Sequence, residues 1–440
     1  MAFIIYHVSL KKHSENVSKN SNKKLKFIWK MNDLMKMTLF SSVFIIFYSM
    51  FSKYIQENHN IPDPVVILAV GLLMGKHGSE ILIPHYVFSK KMVSISSRLV
   101  LCLQTMVVSL SLPKSYVKIN GKSIFSLVIV LGFIKCIFTF IILKALSYLD
   151  NSTCWAISAS LTPTDPILSS SIIKGKFAQQ HVPEKLRLLL SAESGINDGF
   201  GILMLSISID ILKNPMIGQG IAHFFFRTLG IKVLLSGIIG YFIGILIQKI
   251  TKKCCSMELI KSEVMGIHSI CLCFLGLALM DLIDGSELIC IFFMGIGLND
   301  DEWYTLERSS NRISEAIESV SCKVLFLFLG TVIDFNRFTM RMVLICSAIL
   351  ICTRPLILLL SYKTVPLIKN KKEALFIGWF GPVGVGALFY CLLYDQKVDT
   401  LTIDYGICTV FLSTLIHGFS VPLYEFLKKK LGSPVDLVEI

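Results

Sequence analysis

Charge is scarce in this chain. Of 440 residues only 17% are Asp, Glu, Lys or Arg, while 53% are hydrophobic and the mean hydropathy is +0.67. So little polar surface cannot cover an ordinary soluble protein of this length. Cysteines at metal-binding spacing are also missing. The 13 cysteines mostly sit singly in apolar runs, without a CxxC pair or a spaced Cys/His set, and the adjacent Cys254 and Cys255 suit neither a strain-free disulfide nor a zinc site. No cofactor is expected. No nucleotide motif occurs either, which points to an ion gradient rather than ATP as the driving force. Acids are outnumbered, 30 against 43 Lys and Arg, for a net charge of +13. The bases lie in joints between apolar runs, so membrane orientation rather than nucleic acid accounts for them.

What is abundant is apolar sequence in runs of roughly 18 to 27 residues, which at about 1.5 Å per residue cross about 30 Å of hydrocarbon. Spans are expected near 37–55, 61–78, 95–113, 123–149, 152–175, 186–212, 222–249, 264–283, 286–299, 317–335, 339–361, 373–394 and 403–427. That is twelve to thirteen transmembrane helices in an all-α polytopic membrane protein, because backbone groups in lipid need partners within their own segment and nothing alternates like a barrel strand. A basic polar tail over 1–36, a transmembrane domain over 37–427 and a short tail over 428–440 complete the layout, with no soluble domain on either side. Lys and Arg are richer in the odd-numbered joints, which with Lys428, Lys429 and Lys430 should be cytoplasmic. The lysine-rich N-terminal tail breaks this pattern: either one marginal segment, such as 286–299, does not cross, or the tail is translocated against its charge. No small-residue cleavage site marks a leader peptide.

Ionisable and helix-breaking residues inside spans each cost at least a few kcal/mol at mid-bilayer and usually mark a pathway or a pair. The fifth span carries "SLTPTDPILS", in which Pro163 and Pro166 enclose Thr164 and Asp165. The twelfth carries "GWFGPVGVGAL", with Gly381, Pro382, Gly384 and Gly386. Proline removes a backbone donor and glycine tolerates the opened chain, so both segments should be broken helices near the membrane centre. Paired breaks point to a transporter built from inverted six-helix repeats, spans two to seven and eight to thirteen. Between them "SAESGINDGFG" places Glu193, Asn197 and Asp198 in an otherwise greasy helix. A carboxylate in a mid-membrane cavity can hold a proton or a cation but not readily both, so competition at Asp198 is itself a coupling mechanism. Asn197 is its neutral helper, and Thr164 can offer a hydroxyl or a freed carbonyl to a partly dehydrated Na+.

The segments "LTPTDPILSSSIIKGKF", "VPEKLRLLLSAESGINDG" and "FIGWFGPVGVGALFY", with "FSKYIQENHNIPDPVVILAVGLLMGKHG" and "SSRLVLCLQTMVVSLSLPKSY" before them, resemble the fungal plasma-membrane alkali-cation/proton antiporters of the monovalent cation:proton antiporter superfamily. The resemblance covers roughly residues 38 to 425. It implies an inverted-repeat exporter of Na+, and often of Li+ and K+, in exchange for H+. It further implies a core moving against a scaffold that forms a homodimer, in the plasma membrane. Asp165 is then the acid that offsets the half-helix ends at the crossing, a role compatible with a simple N-cap after the break. Glu193 and Arg354, the latter in "ICTRPLILLL", would form a structural ion pair.

Other polar residues read more plainly. His268 and His417 are expected as packed or interfacial histidines rather than pH sensors. Glu318 and Lys323 should line a cavity or snorkel, "HFFFRTLG" should anchor at the interface, and "NST" at 151 leaves almost no joint for glycosylation. Three departures from the family pattern stand out. "DGSEL" puts Ser286 and Glu287 where two adjacent acids are the rule, with Asp284 upstream. The long hydrophilic tail is missing, so tail-based regulation should be absent. No base lies between Ala374 and Tyr394 to offset the carbonyl end of the second broken helix. Two other classes compete with the antiporter: a passive cation channel, which lacks a filter-like loop here, and an intramembrane aspartyl protease using Asp165 and Asp198.

Overall fold

Backbone groups in an apolar slab must be paired within their own segment. The computed structural model of the protein meets that demand with helices and, among the described residues, no strand. It describes residues 33–82, 86–166, 168–169, 182–212, 216–261, 264–308, 313–398 and 402–431. Most of the basic N-terminal tail and the residues after 431 therefore lie outside the described residues.

Among the described residues, eight helices are long and apolar enough to cross a membrane. We label the main helices α1 Asp33–His59, α2 Asp63–Met74, α3 Tyr86–Ser111, α4 Gly121–Leu146, α5 Asn151–Ser160, α6 Glu184–Leu212, α7 Gly218–Ser256, α8 Val264–Ile283, α9 Glu287–Leu298, α10 Ile313–Val332, α11 Met340–Thr364, α12 Lys371–Trp379, α13 Val385–Val398, α14 Thr402–Gly418 and α15 Ser420–Leu431. The expected span 61–78 is shorter as a helix than the sequence implies, and 286–299 is as short as expected. The helices α2 and α9 have 12 residues each, about 18 Å of rise against about 30 Å of hydrocarbon. Gly75 stops α2 by leaving the helical conformation, and α9 ends where Asn299 turns its amide to the carbonyls of Leu110 and Leu112. The expected span 152–175 ends as a helix at Ser160, and most of the stretch 167–181 lies outside the described residues.

Lipid tails are as apolar as leucine, so helices in a bilayer associate through close backbone approach at small residues. Both short helices use it. A Cβ at Gly240 or Gly244 of α7 would strike the carbonyls of Cys290 and Met294 on α9. Gly71 of α2 and Gly330 of α10 face each other in the same way.

The joints sort into two ends. At one, Lys76 pairs with Asp334, Arg227 with Asp284, Arg337 with Asp404, and Arg341 donates to Tyr148 Oη. At the other, Lys185 pairs with Glu373, Lys252 with Asp301, and Lys114 N–H donates to Glu302. Every joint in the first set is even-numbered along the sequence and every joint in the second odd-numbered. Large apolar side chains of α1, among them Phe47, Met50 and Phe51, are exposed, as a lipid-facing helix requires.

The backbone contact at Gly244 gives a direct check. Gly244→Val should overpack α7 against α9 by about 1–3 kcal/mol and lower the thermal midpoint of the detergent-solubilised protein; an unchanged midpoint would show that the two backbones do not touch.

Candidate functional site

The first break is prepared one turn ahead. Ser158, Ser160 and Thr162 each return a hydroxyl to the carbonyl four residues back, at 2.7, 2.8 and 2.8 Å, a pattern that loosens and bends helices. The helix α5 ends at Ser160, just before Pro163, and the chain leaves regular structure through Thr164 and Asp165. The carbonyl of Thr162, left without an intrahelical partner, accepts from the Lys135 ammonium at 2.9 Å. Lys135 comes from the middle of α4 and is 5% exposed. A helix C-terminus carries partial negative charge, so a cation there is stabilising. The hydropathy and motif patterns did not single out Lys135, although one lysine inside "GFIKCIFTF" meets the same criterion that picked out Arg354.

The second break separates α12 from α13 at Gly381, Pro382 and Gly384. Its orphan carbonyl end has a cation after all, and the base comes from another helix. Arg354 donates to Ile377 O from Nε at 3.2 Å and from Nη2 at 3.1 Å. Its guanidinium lies so close to Gly381 that any Cβ there would overlap it. Arg354 also grips Glu193 through two bonds of 2.5 and 2.7 Å, the forked geometry in which guanidinium and carboxylate match best. Pro355 follows in α11, and the wider turn over Ile349–Thr353 accommodates the donor it lacks.

The two breaks meet: Asp165 N–H donates to Pro382 O at 2.7 Å. The Asp165 carboxylate packs against Gly384, just before the start of α13, where a side chain larger than glycine's would collide with it. An acid therefore faces the positive end of α13. Beside the crossing, Asn197 ties α6 to the first break, its Nδ2 donating to Thr164 Oγ1 at 2.8 Å while its Oδ1 accepts from Thr164 N–H at 3.3 Å. Thr164 Oγ1 also lies 3.1 Å from Ser194 Oγ. Ser194 is a second residue that the sequence patterns did not single out; it stands four before Asp198, hence on the same helix face.

Asp198 is 1% exposed. Its Oδ2 has no hydrogen-bond partner among the described residues, and Gly386 of α13 lies between its Oδ1 and Pro163. Its backbone carbonyl accepts from Tyr390 of α13. The structure thus gathers Pro163, Thr164, Asp165, Asn197, Asp198 and the glycines of the second break into one buried region, with Glu193 and Arg354 beside it. Pro166 begins the chain's return to helix.

The remaining acids are engaged elsewhere. Glu287 accepts from Arg98 Nε at 2.7 Å, and the same guanidinium holds Asp281 at 2.5 Å. Asp284 pairs with Arg227 at 2.8 Å. Lys323 reaches Asp63 at 3.4 Å and donates to Ser319, while His417 is bonded to Ser413 in its own helix. No cluster of metal-ligating side chains occurs among the described residues, and all 13 cysteines are free.

A helical bundle in which two broken helices cross beside buried carboxylates is the architecture of an ion-coupled membrane transporter. Within that class, the chain belongs to the sodium/hydrogen exchanger family, whose transmembrane model matches residues 38–426. It is 28% identical over 376 residues to Na(+)/H(+) antiporter 2 of Zygosaccharomyces rouxii, an alignment covering 82% of this chain and 46% of that protein. The Na(+)/H(+) antiporter of Saccharomyces cerevisiae is 28% identical over 384 residues, 83% of this chain and 38% of its own length. The chain thus spans about half or less of these relatives. A Na(+)/H(+) antiporter of Schizosaccharomyces pombe is 25% identical over 433 residues and is covered to 91%. In fold, the chain is similar to the sodium proton antiporter MjNhaP1 from Methanocaldococcus jannaschii, with a TM-score of 0.69, 18% identity, and coverage of 93% of this chain and 100% of that one. The family and these relatives are transporters, not enzymes.

Removing Arg354 should be felt twice. Arg354→Leu strands Glu193 in the interior and uncovers Ile377 O, a loss of about 3–5 kcal/mol visible as a lower thermal midpoint or loss of monodisperse elution. Arg354→Lys keeps one charge without the fork and should fall between. Equal stability of all three forms would show that the pair does not hold the crossing together.

Proposed function

We propose that the chain is a secondary active antiporter that exchanges Na+, and by resemblance Li+ and K+, for H+, with proton and cation competing for Asp198. One observation carries this reading: Asp198 is a buried carboxylate with an oxygen left without a hydrogen-bond partner, beside the hydroxyls and amide of Thr164, Ser194 and Asn197. Oxygen ligands of this kind replace part of the water shell of a small hard cation. When protonated, Asp198 is neutral and no longer attracts the ion. The two loads therefore exclude each other, and the direction of exchange follows the gradients present.

Asp165, Lys135 and Arg354 act through the helix ends: they hold the crossing together whichever load Asp198 carries. Access from the even-numbered end is supported by a cleft of about 610 Å³ between α3 and α13, lined by Lys90, Lys91, Ser94 and Asp395. The helix α13 leads from that cleft to Gly386 at Asp198, about 15 Å away along the helix, with the buried Tyr390 between them. The base-rich odd-numbered end is read as cytoplasmic, the membrane as the plasma membrane, and the assembly as a homodimer.

The partners of the other acids support one-for-one exchange. Glu287 and Asp284, the other candidates for a second carrier, are each tied to an arginine, leaving Asp198 to carry one proton or one monovalent cation. Exchange should then be electroneutral, with a rate unchanged when a membrane potential is imposed across the vesicle; a rate that scales with potential would require a second carrier.

The function itself is tested with purified protein in liposomes holding an acid interior and a pH-sensitive dye. Na+, Li+ and K+, but not choline, should dissipate the proton gradient, and Asp198→Asn should be folded but silent. If folded native protein moves no protons in response to any alkali cation, the antiporter reading fails and Asp165 with Asp198 should be assayed as a protease pair. Cation flux without proton movement would instead indicate a channel.

A further inference from the structure

Away from the crossing, the odd-numbered end holds a cavity of about 520 Å³ between the chain leaving α3, the outer face of α7 and the end of α9. Its walls are apolar, formed by residues such as Leu112, Val233, Phe293 and Ile296. Two of its lining residues are polar, at least nine-tenths buried, and incompletely bonded. Tyr116 is 9% exposed and its Oη has no hydrogen-bond partner among the described residues; Asn299 is 5% exposed and its Oδ1 has none either. The Asn299 amide nitrogen is already committed to Leu110 O and Leu112 O, so its oxygen is the group left over. Buried polar atoms without partners are rare and call for an explanation.

The chain is strained into this arrangement. Pro113 follows the end of α3, and Ser115 takes φ 56°, a left-handed conformation unusual for serine, immediately before Tyr116. The rim carries one base and one acid, Lys118 and Asp300, the acid also accepting from Tyr241 at 3.3 Å. Their charges cancel, so the mouth has no net attraction for a phosphate. From Tyr241 at the mouth to Val233 within, α7 rises by about 12 Å.

We infer that this cavity binds a membrane sterol with a 3β-hydroxyl. The rigid apolar ring system fills the slot along Val233, Phe293 and Ile296. The hydroxyl donates to Asn299 Oδ1 and accepts from Tyr116 Oη, giving each its missing partner. Both atoms are buried, so a small rotation of Tyr116 and Asn299 accompanies binding. The ends of α3 and α9 mark the edge of the apolar layer, the depth at which a sterol holds its hydroxyl. Leu112, Tyr116 and Lys118 also fall at the spacing of a pattern put forward for sterol contact, which by itself would carry little weight. Here all three residues line one cavity.

The test is photolabelling of the full chain, reconstituted in phospholipid bilayers, with a photoreactive 3β-hydroxysterol. Label should map to the peptide containing Leu112 to Lys118 or to α9, and should be displaced by excess unlabelled 3β-sterol but not by its 3α epimer. Tyr116→Phe, which removes one oxygen and no volume, should weaken labelling about fivefold, the worth of one hydrogen bond. Val233→Trp should fill the slot and abolish labelling while ion exchange persists. Labelling that ignores the epimer, that survives both variants, or that phosphatidylcholine displaces equally well would overturn the assignment, the last result making the cavity a seat for a phospholipid chain. Should Val233→Trp fail to fold, Tyr116→Phe and the epimer comparison decide on their own.

Discussion

A helix broken inside an apolar layer exposes two ends of opposite polarity where no water can cover them, and the rest of this structure is arranged around that fact. The carbonyl end at Thr162 is met by Lys135, the carbonyl end at Ile377 by Arg354, and the positive start of α13 by the Asp165 carboxylate. Each compensating charge comes from a different segment, so the crossing ties α4, α11 and the two breaks into one unit. Glu193 follows as a consequence: an arginine placed for the sake of a carbonyl still needs a counter-charge in the interior.

The distribution of charge sets most of the acids apart from Asp198, the group proposed to change its load. Glu193, Glu287, Asp281, Asp284, Asp63 and Glu373 all lie against an arginine or a lysine. Near Asp198, Thr164, Ser194 and Asn197 bond to one another and are neutral. A carboxylate locked to an arginine has little reason to exchange its proton; Asp198, with no such base against it among the described residues, is the acid to which the proposed exchange is assigned. The contrast arises within a single helix, since Glu193 and Asp198 are five residues apart in α6 and project to different sides.

Much of this layout was legible in the sequence because it has letters: prolines and glycines for the breaks, acids in apolar runs for the site, hydropathy for the spans. The family resemblance rested on those same letters. What escaped was whatever depends on pairing across distance. Arg354 and Ile377 are partners through a backbone carbonyl, which no residue code announces, and so the second break looked uncompensated. Arg98 and Glu287 are 189 residues apart, beyond any periodicity. Ser194 and Lys135 do leave signals, an i, i+4 relation to Asp198 and a lone base in a span, but a serine in a helix and a single lysine are each common without such a role. The length of α2 differs for another reason: apolar composition records burial, and it does not distinguish a helix buried by lipid from one buried by its neighbours.

The double engagement of Arg354 gives the buried pair a direction. An ordinary salt bridge can be reversed, acid for base and base for acid, and its Coulomb energy is unchanged. Here the base has a second client. A carboxylate at position 354 would face the Ile377 carbonyl with like polarity, and an arginine at position 193 could not reach around to cover it. The pair is therefore irreversible: lineages carrying this fold can lose it or replace it, but no two-step exchange of the partners leads back to the same energy.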